Sequence, residues 1–94
     1  MNKPVYTTAA ISDLDDVLKY AARDKPKAAI ELVQKIEAKC LLIASSPAIG
    51  EAQPQLGLGV RSNLVGRYVI FHRLENERVE ILRVIPGDRN ITQL

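Results

Sequence analysis

The alternation of apolar and polar residues divides this chain into a helical first half and a strand-rich second half. Val5 to Thr7 follows a proline and is β-branched or aromatic, which predicts a short strand. The apolar residues that follow recur every three or four positions, the spacing of one face of a helix. After Gly59 they come in short runs rich in Val and Ile, which favour strands. The pattern therefore predicts one strand, then helices, then further strands.

Two helices are predicted after the first strand. Thr7 or Thr8 can cap the first helix, which runs to about Arg23. Asp24-Lys25-Pro26 ends it and starts the next, because Asp is a good cap and Pro suits the first helical position. The second helix runs to about Ser45 and has an apolar arc wide enough for burial against both the first helix and a sheet. The short link makes the two helices an antiparallel hairpin.

A loop and three strands complete the predicted fold. Prolines and glycines exclude regular structure over most of residues 46–59. Strands are predicted at about residues 60–64, 67–74 and 78–85, joined by two tight turns. The order predicts an α+β fold, in which a helical hairpin packs on a mostly antiparallel sheet. We expect residues 1–94 to form a single domain.

The last two strands are predicted to pair around a turn at Asn76-Glu77, because that register places Arg73 opposite Glu80. One face, expected to meet the helices, then contains Val69, Phe71, Leu82 and Val84. The other face contains Tyr68, Ile70, His72, Ile81 and Arg83. No third helix is predicted to cover this second face, and an exposed apolar patch usually marks a partner surface. A solvated back face and a catalytic pocket are the alternatives.

Composition limits the classes of function. A net charge of +2 is too small to indicate a nucleic-acid binder, so direct nucleic-acid binding is not expected. The single Cys40 permits no internal disulfide, fits a reducing compartment, and is predicted to be a small buried hydrophobe. No apolar run approaches the roughly 18–20 residues of a membrane span, and the first residues lack the apolar segment of a secretory signal. We therefore expect a soluble cytoplasmic protein.

The basic residues change type along the chain. Six of the seven before Gly57 are Lys, whereas all six after it are Arg. Because Arg is a planar, permanently charged group suited to fixed contacts, the sheet half is expected to meet a partner.

Other residues offer little catalytic chemistry. Asp13, Asp15 and Asp16 lie early in the first helix, where a solvated capping face is predicted rather than a metal or acid–base site. His72, the only histidine, has no carboxylate or hydroxyl partner in the pattern and is interpreted as a contact residue. No cofactor or metal is expected.

Over essentially its whole length the chain resembles the ParE toxins of the ParE/RelE superfamily. The resemblance is carried by L-x-x-G-V-R-S-x-L-V-G-R-Y-V-I-F-H-R from Leu56 to Arg73 and by V-E-I-L-R-V-I-P-G-D-R-N-I after it. A-S-S-P-x-x-G, from Ala44 to Gly50, supports it in the helical half. The resemblance implies the toxin of a plasmid or chromosomal toxin–antitoxin module. ParE toxins poison DNA gyrase by stabilising its cleaved DNA complex, and a ParD-type antitoxin holds them inactive.

The RelE branch of the superfamily shares the fold but cleaves ribosome-bound mRNA with a cluster of basic side chains and a proton carrier. Such groups stabilise charge on the phosphate and activate the 2′-hydroxyl. Arg61 fits one position of that cluster, but Tyr68 stands where an Arg is expected. Pro86 and Gly87 stand where His or Arg is expected, and the tail has no Tyr. RNA cleavage is therefore disfavoured.

The resulting hypothesis is a non-enzymatic toxin that binds gyrase and is neutralised by a ParD-like antitoxin. The alternatives are a RelE-like ribosome-dependent endoribonuclease and a degenerate toxin that only binds its antitoxin. The tail from Pro86 to Leu94 is expected to belong to the contact region. The residues predicted to contact the target or the antitoxin are Arg61, Arg67, Tyr68, His72, Arg83 and Arg89.

Overall fold

The computed structural model describes residues 2–89 and 91–94, which form two helices packed on a five-stranded sheet. In chain order the elements are β1 (Val5–Tyr6), α1 (Thr8–Ala22), α2 (Pro26–Ser45), β2 (Glu51–Ala52), a 3-10 turn (Pro54–Leu56), β3 (Arg61–Val65), β4 (Tyr68–Glu75) and β5 (Arg78–Pro86). The strands lie in the order β1-β5-β4-β3-β2, with β1 parallel to β5 and the other neighbours antiparallel. The predicted α+β fold is confirmed. The short edge strand β2 was not predicted, because two residues carry no periodicity.

Thr7 joins the helical layer to the sheet. Its hydroxyl accepts from the Ala10 N–H at 3.1 Å, which caps α1 as predicted. The same hydroxyl donates to the Leu82 carbonyl at 2.9 Å, and the Thr7 N–H donates to the Ile81 carbonyl at 3.1 Å. At α2, Lys25 occupies the cap position without a side-chain hydrogen bond, so the predicted Asp24 cap is wrong. Within the described residues neither helix is long and apolar enough to cross a membrane.

The register of β4 and β5 follows the prediction near the turn and departs from it farther along. Asn76 and Glu77 have φ of 51° and 63°, as a two-residue hairpin turn requires, and Arg73 pairs with Glu80. The register then shifts at a bulge, so that Phe71 pairs with Arg83 instead of the predicted Leu82. The extra residue in β5 changes which side chains face the helices beyond that point.

The predicted assignment of the two sheet faces is wrong for most residues, although Val84 does meet the helices as predicted. The helices cover the face that was expected to be open, and Tyr68, Ile70 and Ile81 belong to the helix-packed core. Ile70, Ile81 and His72 are fully buried there. The error arose because the Val69 and Phe71 side and the Ile70 and Ile81 side are both apolar, so alternation alone did not say which one the helices meet.

The opposite face of the sheet holds a smaller second cluster. Val60, Phe71 and Ile85 are its buried members, and Leu56, Val69, Leu82 and Ile91 pack against them. The loop before β3 and the chain after β5 thus cover the face that no helix covers. Leu58 and Leu64, from the loop and from β3, stay exposed over 94% and 72% of their surface.

Cys40 lies inside the helix-packed core and has no exposed surface. Burial raises the pKa of its thiol to about 11, so the group stays protonated and unreactive at neutral pH. The prediction of a small buried hydrophobe is confirmed.

Candidate functional site

His72 is a hydrogen-bonded interior residue. Its Nε2 lies 3.1 Å from the Pro47 carbonyl oxygen, which can only accept, so Nε2 carries the proton. Its Nδ1, 3.2 Å from Asn63 Nδ2, then accepts from that amide. Burial lowers the pKa of His72, and the nearby Arg61 charge acts in the same direction. The neutral ring therefore joins β4, β3 and the loop after α2, and its predicted place on an open face is wrong.

Asn63 and Gly50 complete the contact between β3, β4 and the loop after α2, which we call the loop connection. Neither residue was predicted from the sequence. The Asn63 amide is buried and also reaches the Ile49 carbonyl at 3.5 Å. Gly50 has φ of 101°, and a Cβ there would lie 2.5 Å from the Ser62 carbonyl oxygen. Only glycine fits that approach without displacing the strand. The sequence signal was the glycine that ends the A-S-S-P-x-x-G segment.

Arg61 holds the same loop from the outside. It opens β3 opposite His72, and its Nη1 donates to the Gly50 carbonyl oxygen at 3.0 Å. The side chain stays partly exposed. Its strand neighbour His72 does not offer Arg61 an exposed proton carrier, because the His72 ring is buried.

Arg83 is bound to α1 through Asp13. The Asp13 carboxylate accepts from Arg83 Nε at 2.7 Å, from Arg83 Nη2 at 2.9 Å and from the Val84 N–H at 2.9 Å. Hydrogen bonding to Asp13 raises the pKa of Arg83 above its usual value. Asp13 is only 7% exposed, so the predicted solvated face is wrong for this residue, while Asp15 is exposed and pairs with Lys19.

A cleft of about 350 Å³ opens where α1 meets two turns at one end of the sheet, the β3–β4 turn at Gly66-Arg67 and the turn that follows β5 at residues 87–89. We call it the turn-end cleft: Asp16 and Tyr20 line it from α1, Arg67 and Arg89 from the turns, and Tyr68 from below. The Arg67 guanidinium lies over the Tyr68 ring, 6.0 Å from its centroid. Both arginines are exposed, whereas Tyr68 is 5% exposed.

The two turns of the cleft are tied together. The Gly87 N–H donates to the Arg67 carbonyl oxygen at 2.7 Å, and the Arg89 N–H donates to the Pro86 carbonyl oxygen at 3.1 Å. A Cβ at Gly87 would lie 3.3 Å from the Arg67 oxygen, so a small residue suits this position. The sequence pattern gave no sign that the two turns would meet, since the pairing depends on the β5 bulge.

The structure therefore brings together only three of the six predicted contact residues. Arg67, Tyr68 and Arg89 line the turn-end cleft, while Arg61 and His72 belong to the loop connection and Arg83 faces Asp13. Asp16 and Tyr20 also line the cleft and were not predicted, and Asp88 lies there within the tail that was expected to belong to the contact region. Whether any of these residues contacts a partner stays a prediction.

Comparison with known proteins identifies the fold and the family. The profile of the family described as "ParE toxin of type II toxin-antitoxin system, parDE" matches residues 5–91. The chain belongs to the ParE toxin family. It is 33% identical over 82 residues to Toxin ParE1 of Caulobacter vibrioides, a match that covers 86% of this chain and 84% of that protein.

A solved structure supports the same fold. The chromosomal ParDE toxin–antitoxin system from P. aeruginosa contains a chain that aligns with a TM-score of 0.80. The alignment covers 94% of this chain and 98% of that one, at 22% sequence identity. The family match and the curated relative confirm the resemblance to ParE toxins. The solved structure shows the same fold.

Proposed function

We propose that this ParE-family toxin acts in the cytoplasm by binding DNA gyrase and stabilising its cleaved complex with DNA. The observation that carries the proposal is that the side chains a nuclease would need are already hydrogen-bonded within the fold. His72 is buried as a neutral ring between Asn63 and Pro47, and Arg83 is paired with Asp13. Arg61 donates to a backbone carbonyl instead of facing an open site beside a proton carrier.

Phosphodiester cleavage requires an exposed base or acid next to cations that stabilise the phosphate. The cations exposed at the turn-end cleft are Arg67 and Arg89, and the single histidine lies elsewhere, in the interior. Of the two tyrosines that line the cleft, Tyr68 is almost wholly buried. Tyr20 is exposed, but it lies in the same cleft as the carboxylates of Asp16 and Asp88, which oppose the binding of a phosphate. This arrangement favours action by binding over action by chemistry.

A ParD-like antitoxin is the proposed regulatory partner. The aligned P. aeruginosa protein is described as a ParDE system. The present chain exposes aliphatic side chains that a partner would cover, including Leu58 and Leu64 beside the second cluster. Ile11, Leu41 and Leu42 on the helices are more than half exposed. A partner that covered these side chains would remove apolar surface from water, which favours binding.

The test is a supercoiling assay with purified gyrase. We expect the toxin to inhibit supercoiling and to increase cleaved DNA, and we expect added antitoxin to reverse both effects. Excess toxin that neither inhibits the enzyme nor raises the level of cleaved DNA would contradict the proposal.

Transcript mapping after induction in cells separates the proposal from its rivals. Intact messages together with a DNA-damage response support gyrase as the target. Codon-linked cuts in messages would point instead to a ribosome-dependent nuclease, and unimpaired growth would indicate a chain that only binds its antitoxin.

A further inference from the structure

We propose that the turn-end cleft receives an apolar side chain of the target protein, flanked in the target by charges of both signs. The inference rests on the proposed function and deepens it. It states which surface of the toxin meets gyrase, and that this surface contacts protein rather than DNA.

The bottom of the cleft is apolar. Val17, Tyr68, Val84 and Ile85 line it, and each is no more than 5% exposed. A cavity of about 350 Å³ lies at the lower end of the sizes found for binding pockets, about 300–1,000 Å³. Anchor residues at protein interfaces are commonly large side chains that fill such pockets. The occupant expected here is therefore one aromatic or branched aliphatic side chain.

The rim of the cleft carries charges of both signs. Asp16 and Asp88 are exposed there beside Arg67 and Arg89. Across residues 2–89 and 91–94 no ion pair includes any of these four side chains. By contrast Asp13, which also borders the cleft, is already bound by Arg83. The rim thus offers two cations and two anions to a partner.

The charges of this rim favour a protein partner over a nucleic acid. A phosphate backbone gains affinity from a surface with a basic excess, and each added carboxylate opposes it. The two aspartates match the two arginines in number, so the rim has no net attraction for phosphates. Protein surfaces carry both signs of charge, and complementary pairing around an apolar anchor fixes orientation.

The walls are fixed before any partner arrives. Asp13 holds α1 to β5 through three hydrogen bonds, and the Gly87 to Arg67 bond joins the two turns. A cleft held in this way loses little conformational freedom on binding, which favours affinity.

The test compares variants matched in charge. Asp16→Lys and Arg67→Glu alter the rim, while Asp24→Lys and Arg78→Glu make the same charge changes at exposed positions outside it. Circular dichroism melts and co-purification with the antitoxin verify that each variant folds. If a rim variant fails to fold, Asp16→Asn or Arg67→Gln replaces it.

We expect each rim variant to raise the toxin concentration for half-inhibition of gyrase about tenfold, because each reverses one charge contact. The two controls should stay within about twofold of the unmodified toxin. Stronger inhibition by Asp16→Lys with weaker inhibition by Arg67→Glu would overturn the inference in favour of an anionic partner such as DNA. Rim variants indistinguishable from their controls would show that the cleft is not a contact.

Growth arrest on induction separates failure of this inference from failure of the proposed function. Unmodified toxin that arrests growth without affecting gyrase would contradict the proposed function, and the same four variants would then test the cleft in cells. If only the rim variants fail to arrest growth, the result would support the cleft as the contact surface. Equal arrest by all four variants, or no arrest by the unmodified toxin, would overturn it.

Discussion

The packed sheet and the turn-end cleft both contain arginine and aspartate, in opposite circumstances. Inside, both ring nitrogens of His72 have partners, and Arg83 makes two hydrogen bonds to Asp13. At the cleft, Arg67 and Arg89 are exposed, and among the described residues neither takes part in an ion pair. Arginine and aspartate therefore stabilise the fold in one region and remain available in the other.

Whether a side chain stabilises the fold or stays available depends on the atoms that surround it. The residue type alone does not reveal those atoms. Substitutions in the interior should lower stability, with toxicity falling only as folded protein is lost. Substitutions at the cleft should lower toxicity at unchanged stability. Unfolding measurements on packed and exposed residues test the first expectation, and the rim variants Asp16→Lys and Arg67→Glu test the second.

The largest expected effect compares adjacent residues of β5 that face opposite ways. Ile81 is fully buried against the helices, whereas Leu82 is partly buried in the second cluster. We expect Ile81→Ala to lower the free energy of unfolding by about 3–4 kcal/mol and Leu82→Ala by about 1–2 kcal/mol. Urea unfolding measures both. Equal losses would mean that the second cluster stabilises the fold as much as the helix-packed core does.

A smaller effect is expected from two aspartates on the same helix. Asp13→Ala leaves the Arg83 guanidinium and the Val84 N–H without their acceptor, and we expect a loss of about 2–3 kcal/mol in the free energy of unfolding. Asp15→Ala removes only an exposed pair with Lys19 and should leave stability unchanged. Thermal melts of the two variants provide the measurement. A stable Asp13→Ala protein would show that the pair does not hold α1 to β5.

The smallest effect concerns pH. Because burial lowers the pKa of folded His72, the unfolded chain, with a pKa near 6.5, takes up a proton before the folded protein does. Stability from this residue is complete above pH 6.5 and falls as the pH drops below it, by up to about 1.4 kcal/mol per unit. Urea unfolding at pH 7.5 and 5.5 measures the change, with His72→Gln as the non-titrating control. Equal pH dependence in both proteins would contradict a buried neutral ring.

The fold was largely predictable because its elements carry local signals. The helical spacing, the Thr7 cap, the Pro26 start and the Asn76-Glu77 turn are each decided within a few residues. The face that meets the helices was not predictable. Both sides of β4 and β5 are apolar, and a one-residue bulge at the Phe71/His72 step changed the pairing of the residues that follow.

The site was predicted only in part, for a related reason. Arg67 and Arg89 are among the predicted contact residues, and both line one cleft. Asp16 and Tyr20 come from a helix more than 45 residues earlier in the chain, and only the packing of α1 on β5 brings them there. Asp13 looked like its neighbours Asp15 and Asp16 in sequence, and its burial depends on Arg83, 70 residues away.

The central claim is that this toxin acts by contact with gyrase rather than by chemistry. The most direct measurement is the amount of linear DNA formed by purified gyrase as toxin is added to a supercoiled plasmid. The account predicts that linear DNA rises with toxin and reaches a plateau once gyrase is saturated, as binding requires. No linear DNA at excess toxin, together with cut messages in a translating extract, would contradict it.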